Sequence, residues 1–227
     1  MNTDRRGRPR LTASRRPGRS ARDEILDAAA ELFTTIGYSG TSTRRIAEAV
    51  GMRQASLYHH FTAKEDILDA LLAGTVDASL QLAAELRAED GPAAPRLHTL
   101  VVADTAQLCG GVWNLGSLYL LPELRVERFA AFRRRREALR GHYRELSSTV
   151  ITQHGGPAAA EDLPFRLVES VINRRSDDGA CPVDHPWTTA EAALRVLGCG
   201  GDFTRIREAT AQRLGLPEPN NHVGDGR

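Results

Sequence analysis

Cysteine is scarce in this chain: Cys109, Cys181 and Cys199 are the three in 227 residues. They are widely spaced, with no C-x-x-C pair and no histidine pair beside them, which argues against both a disulfide-stapled secreted scaffold and a structural zinc site. No metal and no cofactor is expected. Lysine is nearly absent too, Lys64 standing alone among the arginines, a bias that genomic composition alone can produce. A long apolar run is also missing. The most apolar later stretch, 100–121, is interrupted by Asp104, Gln107, Asn114 and three glycines, and the basic N-terminus lacks the apolar segment of a secretory signal. The chain therefore reads as cytoplasmic, with no membrane partner. No segment alternates apolar and polar residues with β-branched enrichment, so no strand is needed. There is no nucleophile elbow, phosphate loop, H-E-x-x-H or paired-carboxylate pattern, and Gly110-Gly111 has no catalytic partner near it in sequence; the reading is not an enzyme.

What is present is a charge asymmetry hidden by a net charge of +1. Residues 1–62 hold 11 Arg against 6 Asp and Glu, whereas 63–227 hold 19 basic against 23 acidic side chains. A basic module on an acidic remainder points to an anionic polymer at one end only. Residues 1–19, with seven Arg, two Pro, two Gly and Leu11 as the sole large apolar residue after Met1, are expected to form a disordered basic arm. Within it, Arg6-Gly7-Arg8-Pro9-Arg10 resembles an AT-hook core that follows the minor groove.

From Ser20 onward the spacing is helical. Ser20 with Asp23 has capping-box spacing, Ile25, Ala29, Leu32, Phe33 and Ile36 recur at helical intervals, and Gly37 should end the first helix near Thr35. A second helix is expected from about Thr43 to Val50, ended by Gly51. A third runs from about Gln54 to His60, with Leu57 and Phe61 as its apolar contacts. Thr62 and Glu65 form a second capping box, opening a long helix with the stripe Ile67, Leu68, Leu71, Leu72 and Val76. Gly91-Pro92 and Pro95 break it; helical spacing resumes through Leu97, Leu100, Val101 and Leu108, fails at Gly110-Gly111, and resumes from about Pro122 to His154. Another helix fits Glu161 to Arg174, a loop spans Ser176 to Pro186, and Thr188 with Glu191 has the spacing to cap the last helix.

Two short helices separated by Gly51-Met52-Arg53 on a longer preceding helix make a helix-turn-helix. A second helix of about two turns, pushed clear of its scaffold, fits a major groove ~12 Å wide. Its outward positions carry Gln54, Ser56, Tyr58, His59 and His60, all hydrogen-bonding types. The run Thr41-Ser42-Thr43-Arg44-Arg45-Ile46-Ala47-Glu48-Ala49-Val50-Gly51-Met52-Arg53-Gln54-Ala55-Ser56-Leu57-Tyr58-His59-His60-Phe61-Thr62-Ala63-Lys64-Glu65 closely resembles the DNA-binding domain of the tetracycline-repressor (TetR) family, over about residues 20–72. The resemblance implies an all-α regulator, usually a repressor and a homodimer. It would have an N-terminal three-helix DNA-binding domain (20–66), a C-terminal helical bundle for effector binding and dimerisation (67–215), and a flexible tail (216–227). Carried onto this chain, it implies that Thr41 and Thr43 cap the second helix and hold phosphate, and that Arg44 reaches a base edge or phosphate. Gln54, Ala55, Ser56, Tyr58, His59 and His60 would line the groove, and Lys64 would hold phosphate at a helix N-terminus. Many relatives carry an aromatic where His59 stands, and this chain departs from the family's pattern there.

Beyond residue 72 only helix count and length agree with that family. Cys109, Trp113, Asn114, Tyr119, His142 and Tyr143 supply aromatic surface and scattered polar groups around a glycine-broken segment, the mixture ligand pockets use. Four successive arginines, 133–136, point in four directions on a helix and read as a mostly solvated face. Arg136 alone falls in the apolar sector of Phe129, Phe132, Leu139 and Tyr143, so it needs an acceptor: either a carboxylate on a neighbouring helix, such as Asp104, or an anionic effector. Cys109 has no resolving partner near it in sequence. Leu167, Val168, Val171 and Ile172, with Leu194, Leu197 and Gly198-Cys199-Gly200-Gly201, offer a surface for dimerisation through the last two helices. The partners expected are double-stranded operator DNA, a small-molecule effector and a second copy of the chain. The alternative is an effector-independent DNA-binding accessory protein, which would have no fillable cavity in its C-terminal half. If the arm clamps DNA, deleting residues 1–19 should lower the slope of log K against log salt by about one for each phosphate that the arm neutralises; identical slopes would mark the arm as a solvated tail.

Overall fold

The computed structural model describes residues 16–18 and 20–216, all helix and turn with no strand among the described residues. The AT-hook-like segment at 6–10 and the tail at 217–227 lie outside them. The helices are α1 (Ala21–Thr35), α2 (Thr43–Val50), α3 (Gln54–Tyr58), α4 (Lys64–Ala88), α5 (Ala93–Cys109), α6 (Ala130–His154), α7 (Leu163–Asp178), α8 (His185–Val196) and α9 (Thr204–Leu214). The chain divides into two compact units at Ala70/Leu71.

In the first unit the local signals act where the spacing places them. Ser20 Oγ accepts from Asp23 N–H and caps α1, and Gly51, left-handed at φ +78°, closes α2 by donating to the carbonyls of Ala47 and Glu48. Ile25, Phe33, Ile46, Val50, Leu57, Phe61, Ile67 and Leu68 form the core. Two expectations are corrected here. The hydroxyl of Thr62 and the N–H of Ala63 both reach Asp66, one position past the expected Glu65. Arg16 does not belong to a free arm: its guanidinium bonds Asp27 (2.9 Å), Glu31 (2.5 Å) and the Ala49 carbonyl (3.1 Å). The domain's ordered contacts thus begin before Ser20.

The second unit is built around α5, which packs against α6, α7, α8 and α9. That central place explains its composition, since Leu97, His98, Leu100, Val101, Asp104, Thr105 and Leu108 are all buried. By length and composition α4 is apolar enough to cross a membrane, yet Ile67, Leu68, Leu72 and Val76 are buried within the fold. The C-terminal helices depart from the spacing in three places. Residues 115–129 form three short 3-10 turns, so α6 starts at Ala130 rather than Pro122. Asp184 and Pro186 open α8 in place of a Thr188–Glu191 box; Glu191 is buried and pairs with Arg195 and Arg207. Beyond the glycines at 198, 200 and 201 a further helix, α9, follows instead of a continued α8. Gly156 is required by packing, because a Cβ there would lie 2.0 Å from the Leu197 carbonyl oxygen.

Asp104 is the polar centre of this unit. It is 3% exposed and accepts from Ser79 Oγ (2.8 Å) and Tyr143 OH (2.9 Å). Burial pushes its carboxyl up to about 6, against the opposing pull of those two hydrogen bonds. Between about pH 4 and 6 the unfolded chain ionises Asp104 while the folded protein keeps it protonated, so stability present at pH 4 is lost as the pH rises through 6. Asp104→Asn, which keeps an acceptor without the charge, should match the wild type in thermal melts at pH 4 and exceed it by roughly 1–3 kcal/mol at pH 8. Equal stability at both pH values would refute the buried-charge assignment.

Candidate functional site

The reading surface is made by separating two faces of a five-residue helix. Leu57 is fully buried, whereas Gln54, Ala55, Ser56, Tyr58, His59 and His60 are exposed. α3 itself ends at Tyr58, so His59 and His60 occupy the turn beyond it. Gln54 and Tyr58, one helical turn apart, converge on Thr43 at the start of α2. Gln54 Nε2 donates to Thr43 Oγ1 (3.0 Å) and approaches Tyr58 OH (3.4 Å), while Tyr58 OH and Thr43 Oγ1 lie 3.1 Å apart. The two short helices therefore present one preorganised polar group at their junction. Arg44 is exposed and paired with Glu48 (2.9 Å).

Three side-chain roles differ from those the resemblance implied. The cap of α2 is Ser42, whose Oγ accepts from Arg45 N–H (3.2 Å), rather than Thr41 or Thr43. Thr41 is buried and its hydroxyl serves the carbonyls of Gly37 (2.9 Å) and Leu32 (3.3 Å), so it cannot hold phosphate. Lys64 is turned inward: its ammonium donates to the carbonyls of Tyr38 and Thr41 (2.9 Å each) and lies 4.0 Å from the Tyr38 ring centroid. It fastens the α1–α2 turn to the start of α4. The sequence reading also passed over Arg53, the residue before α3, which is exposed and makes no side-chain hydrogen bond or ion pair among the described residues. Its position in the turn of the motif was the available signal.

In the second unit a cavity of about 250 Å³ is lined by Gly74, Thr75, Gln107, Leu108, the 110–113 loop, Leu115, Gly116 and Arg175. Arg175, buried on α7, builds this wall: its guanidinium donates to the carbonyls of Leu108 (2.9 Å), Gly110 (3.0 Å), Gly111 (2.9 Å), Val112 (3.4 Å) and Trp113 (3.2 Å). These include carbonyls that the end of α5 leaves without intrahelical partners. A second depression, about 310 Å³, is lined by Tyr119, Leu120, Arg136, Arg166, Glu169, Ser170, Ile172 and Asn173.

The expected effector residues are thereby dispersed. Trp113 lines the first cavity; Tyr119 and Arg136 line the second. Tyr143 is fully buried with its hydroxyl on Asp104. Asn114 ties the loop to α7 through the Ile172 carbonyl (2.9 Å) and Ser176 (3.1 Å), and Cys109 borders neither space. Arg136 has its acceptor on a neighbouring helix, but it is Glu169 of α7 at 2.8 Å from Nε rather than Asp104. Tyr119 and Phe165 flank the guanidinium at 5.7 and 5.2 Å. Thr75, Gln107 and Arg175 were missed because what joins them, facing one cavity from α4, α5 and α7, is tertiary. The residues offered for dimerisation need correction too: Val168, Val171, Ile172, Leu194, Leu197 and Cys199 are buried within the protomer itself.

A preorganised helix-turn-helix in one unit and a cavity-bearing helical bundle in the other define a DNA-binding regulator of the one-chain type. The family described as bacterial regulatory proteins, tetR family, matches residues 25–71. The crystal structure of Mycobacterium smegmatis AmtR is 67% identical, with a TM-score of 0.89 over 91% of this chain and 100% of that one. This chain belongs to the TetR family of transcriptional regulators. The repressor KstR2 of Rhodococcus jostii is 48% identical over 56 residues, which are 25% of this chain and 28% of that protein. A structure of AibR with isovaleryl coenzyme A and operator DNA shares the fold at 22% identity and a TM-score of 0.63, over 79% of this chain and 99% of that one.

Proposed function

We propose that this protein is a cytoplasmic, homodimeric transcriptional repressor that releases its operator when a small molecule enters the C-terminal cavity. The observation that carries the reading is the Thr43–Gln54–Tyr58 junction above a buried Leu57. It holds hydrogen-bonding groups in fixed positions on an outward face, which is what direct readout of base edges needs. Gln54, Ala55, Ser56, Tyr58, His59 and His60 face the bases. Thr43, Arg44 and Arg53 hold the backbone phosphates.

Two heads must meet successive major grooves ~34–36 Å apart, so the operator-bound form is a dimer. With the inner faces of α7 and α8 engaged in their own core, dimerisation falls to the outer faces. Leu163, Leu167 and Ser170 follow helical spacing on α7, as do Thr188 and Ala192 on α8, and all five retain solvent exposure. AibR is described with a ligand and operator DNA, and the 250 Å³ cavity favours an effector-gated regulator over the accessory protein without one. Steric coverage of a promoter is the mechanism, and the effector alters the separation of the two heads.

Gln54→Ala and Tyr58→Ala should each weaken operator binding by roughly 1–3 kcal/mol in a gel-shift titration, with the fold retained and a smaller loss of thermal stability. Because both side chains meet on Thr43, the double variant should lose less than the sum of the two. Wild-type binding by both single variants would remove α3 from the DNA. For the cavity, Gly74→Leu is the matching test: Gly74 lines it, and a Cβ there meets nothing within 4 Å. A small-molecule panel that raises the wild-type melting temperature and releases DNA should fail on Gly74→Leu while its operator affinity persists. An undiminished response would place the effector elsewhere.

A further inference from the structure

Arg175 is 8% exposed and meets no carboxylate within ion-pair reach among the described residues. Arg136, Arg140 and Arg207 are less deeply buried, at 29%, 28% and 25% exposure, yet each has a carboxylate: Glu169, Asp162 and Glu191. Around Arg175 there are carbonyl oxygens instead. Nη1 divides its two hydrogens among the carbonyls of Leu108, Gly110 and Trp113, Nη2 serves Gly111 and Val112, and Nε is buried with no acceptor. Such dipoles spread the positive charge without neutralising it. The charge borders the 250 Å³ cavity, where no other lining residue among those described is ionisable. Gln107 and Thr75, which also line it, are already engaged. Gln107 Nε2 donates to the Gly74 carbonyl (3.0 Å) and its Oε1 lies 3.0 Å from Ser79 Oγ; Thr75 donates to the Leu72 carbonyl (2.7 Å) and accepts from Tyr119 (2.7 Å). Leu108, Val112, Trp113 and Leu115 supply apolar walls.

We propose that this cavity takes an organic monoanion, a carboxylate on an apolar body, and that the carboxylate draws N–H groups of Arg175 away from the 110–113 carbonyls. The proposal rests on the reading of this cavity as the effector site and names the chemical class that fits it. A hydrogen bond from a guanidinium to a carboxylate is stronger than the bond to a neutral carbonyl that it replaces. The exchange is eased because Nη1 is shared among more carbonyls than it has hydrogens. One cation matches one negative charge. A phosphate dianion would bring a second charge into a space with no second cation to meet it. The loop responds because the carbonyls that lose Arg175 belong to Gly110, Gly111, Val112 and Trp113, which form the wall itself.

The full-length protein is to be melted with hexanoate, benzoate and phenylacetate, each beside its primary amide. The acids should raise the melting temperature saturably, and each amide should bind at least about tenfold more weakly. Gly74→Leu should erase the effect of the acids, and Arg175→Met should bind acid and amide alike. The wild-type comparison decides the ligand class even if Arg175→Met fails to fold. On saturation with hexanoate the carbonyl carbon resonances of 110–113 should move upfield as they lose their donor; unmoved resonances would overturn the displacement. Amides that bind as tightly as the acids, or no melting shift with any acid, would overturn the anion assignment and leave the cavity reading standing. Acids that stabilise Gly74→Leu as well as the wild type would overturn both. Acids that bind the wild type, fail on Gly74→Leu and leave operator affinity unchanged would support the anion site and sink the effector reading alone.

Discussion

The C-terminal unit depends on one buried cation. Arg175 has no carboxylate partner within ion-pair reach among the described residues; five backbone carbonyls from 108 to 113 take its place. An unpaired guanidinium is costly to bury, but the end of a helix carries partial negative charge and carbonyls without intrahelical partners. The two deficits offset each other at Nη1 and Nη2, while Nε stays buried without a partner. Gly110-Gly111 ends α5, and Arg175 fixes the course of the loop that follows, which forms the cavity wall. Substituting lysine would keep the charge and lose the planar fork of donors that reaches several carbonyls at once.

The DNA-binding unit solves a different problem, which is how to hold a very short helix rigid. A helix of five residues is unstable on its own, so α3 needs support from both sides. Below, Leu57 sits fully buried and Arg22 lies 4.9 Å from the centroid of the Phe61 ring. Above, Thr43 accepts from Gln54 and meets Tyr58. Lys64 completes the frame from a distance by fixing the carbonyls of Tyr38 and Thr41, which set where α2 begins. A lysine turned toward the domain in this way puts two of its three donors into the geometry of the motif.

How much was legible in the sequence follows the range of the interactions. Ser20, Gly37 and Gly51 act on their own backbone within a few residues, so α1 and α2 could be placed closely from spacing alone. The exposed face of α3 was legible for the same reason: burial of Leu57 implies the outward direction of its neighbours. Past residue 110 the determinants are distant. Arg136 meets Glu169, Asn114 meets Ile172, and Arg175 meets Leu108, pairs with separations of 33, 58 and 67 positions. Glu191 had the spacing of a capping residue, yet two arginines draw it into the interior. The apolar residues of α7 and α8 looked like an interface because nothing local says whether an apolar face meets its own chain or another.

Two buried titratable groups show what a polar interior demands of this fold. His98 bonds Thr210 at 2.8 Å, and burial lowers its ring to about 4. It therefore stays neutral in the folded protein while the unfolded chain protonates it as the pH falls through 6.5, and stability is lost in that direction. Asp104, raised to about 6 by burial, acts with the opposite sign over an overlapping range. Acidification weakens the protein at His98 and strengthens it at Asp104, so the net dependence between pH 4 and 6.5 is flatter than either group alone would produce. Both side chains lie on α5, the helix that packs against α6, α7, α8 and α9. The polar groups it carries specify one packing arrangement, because Asp104 finds its donors only with Ser79 and Tyr143 in place, and His98 Nδ1 finds its partner only with Thr210.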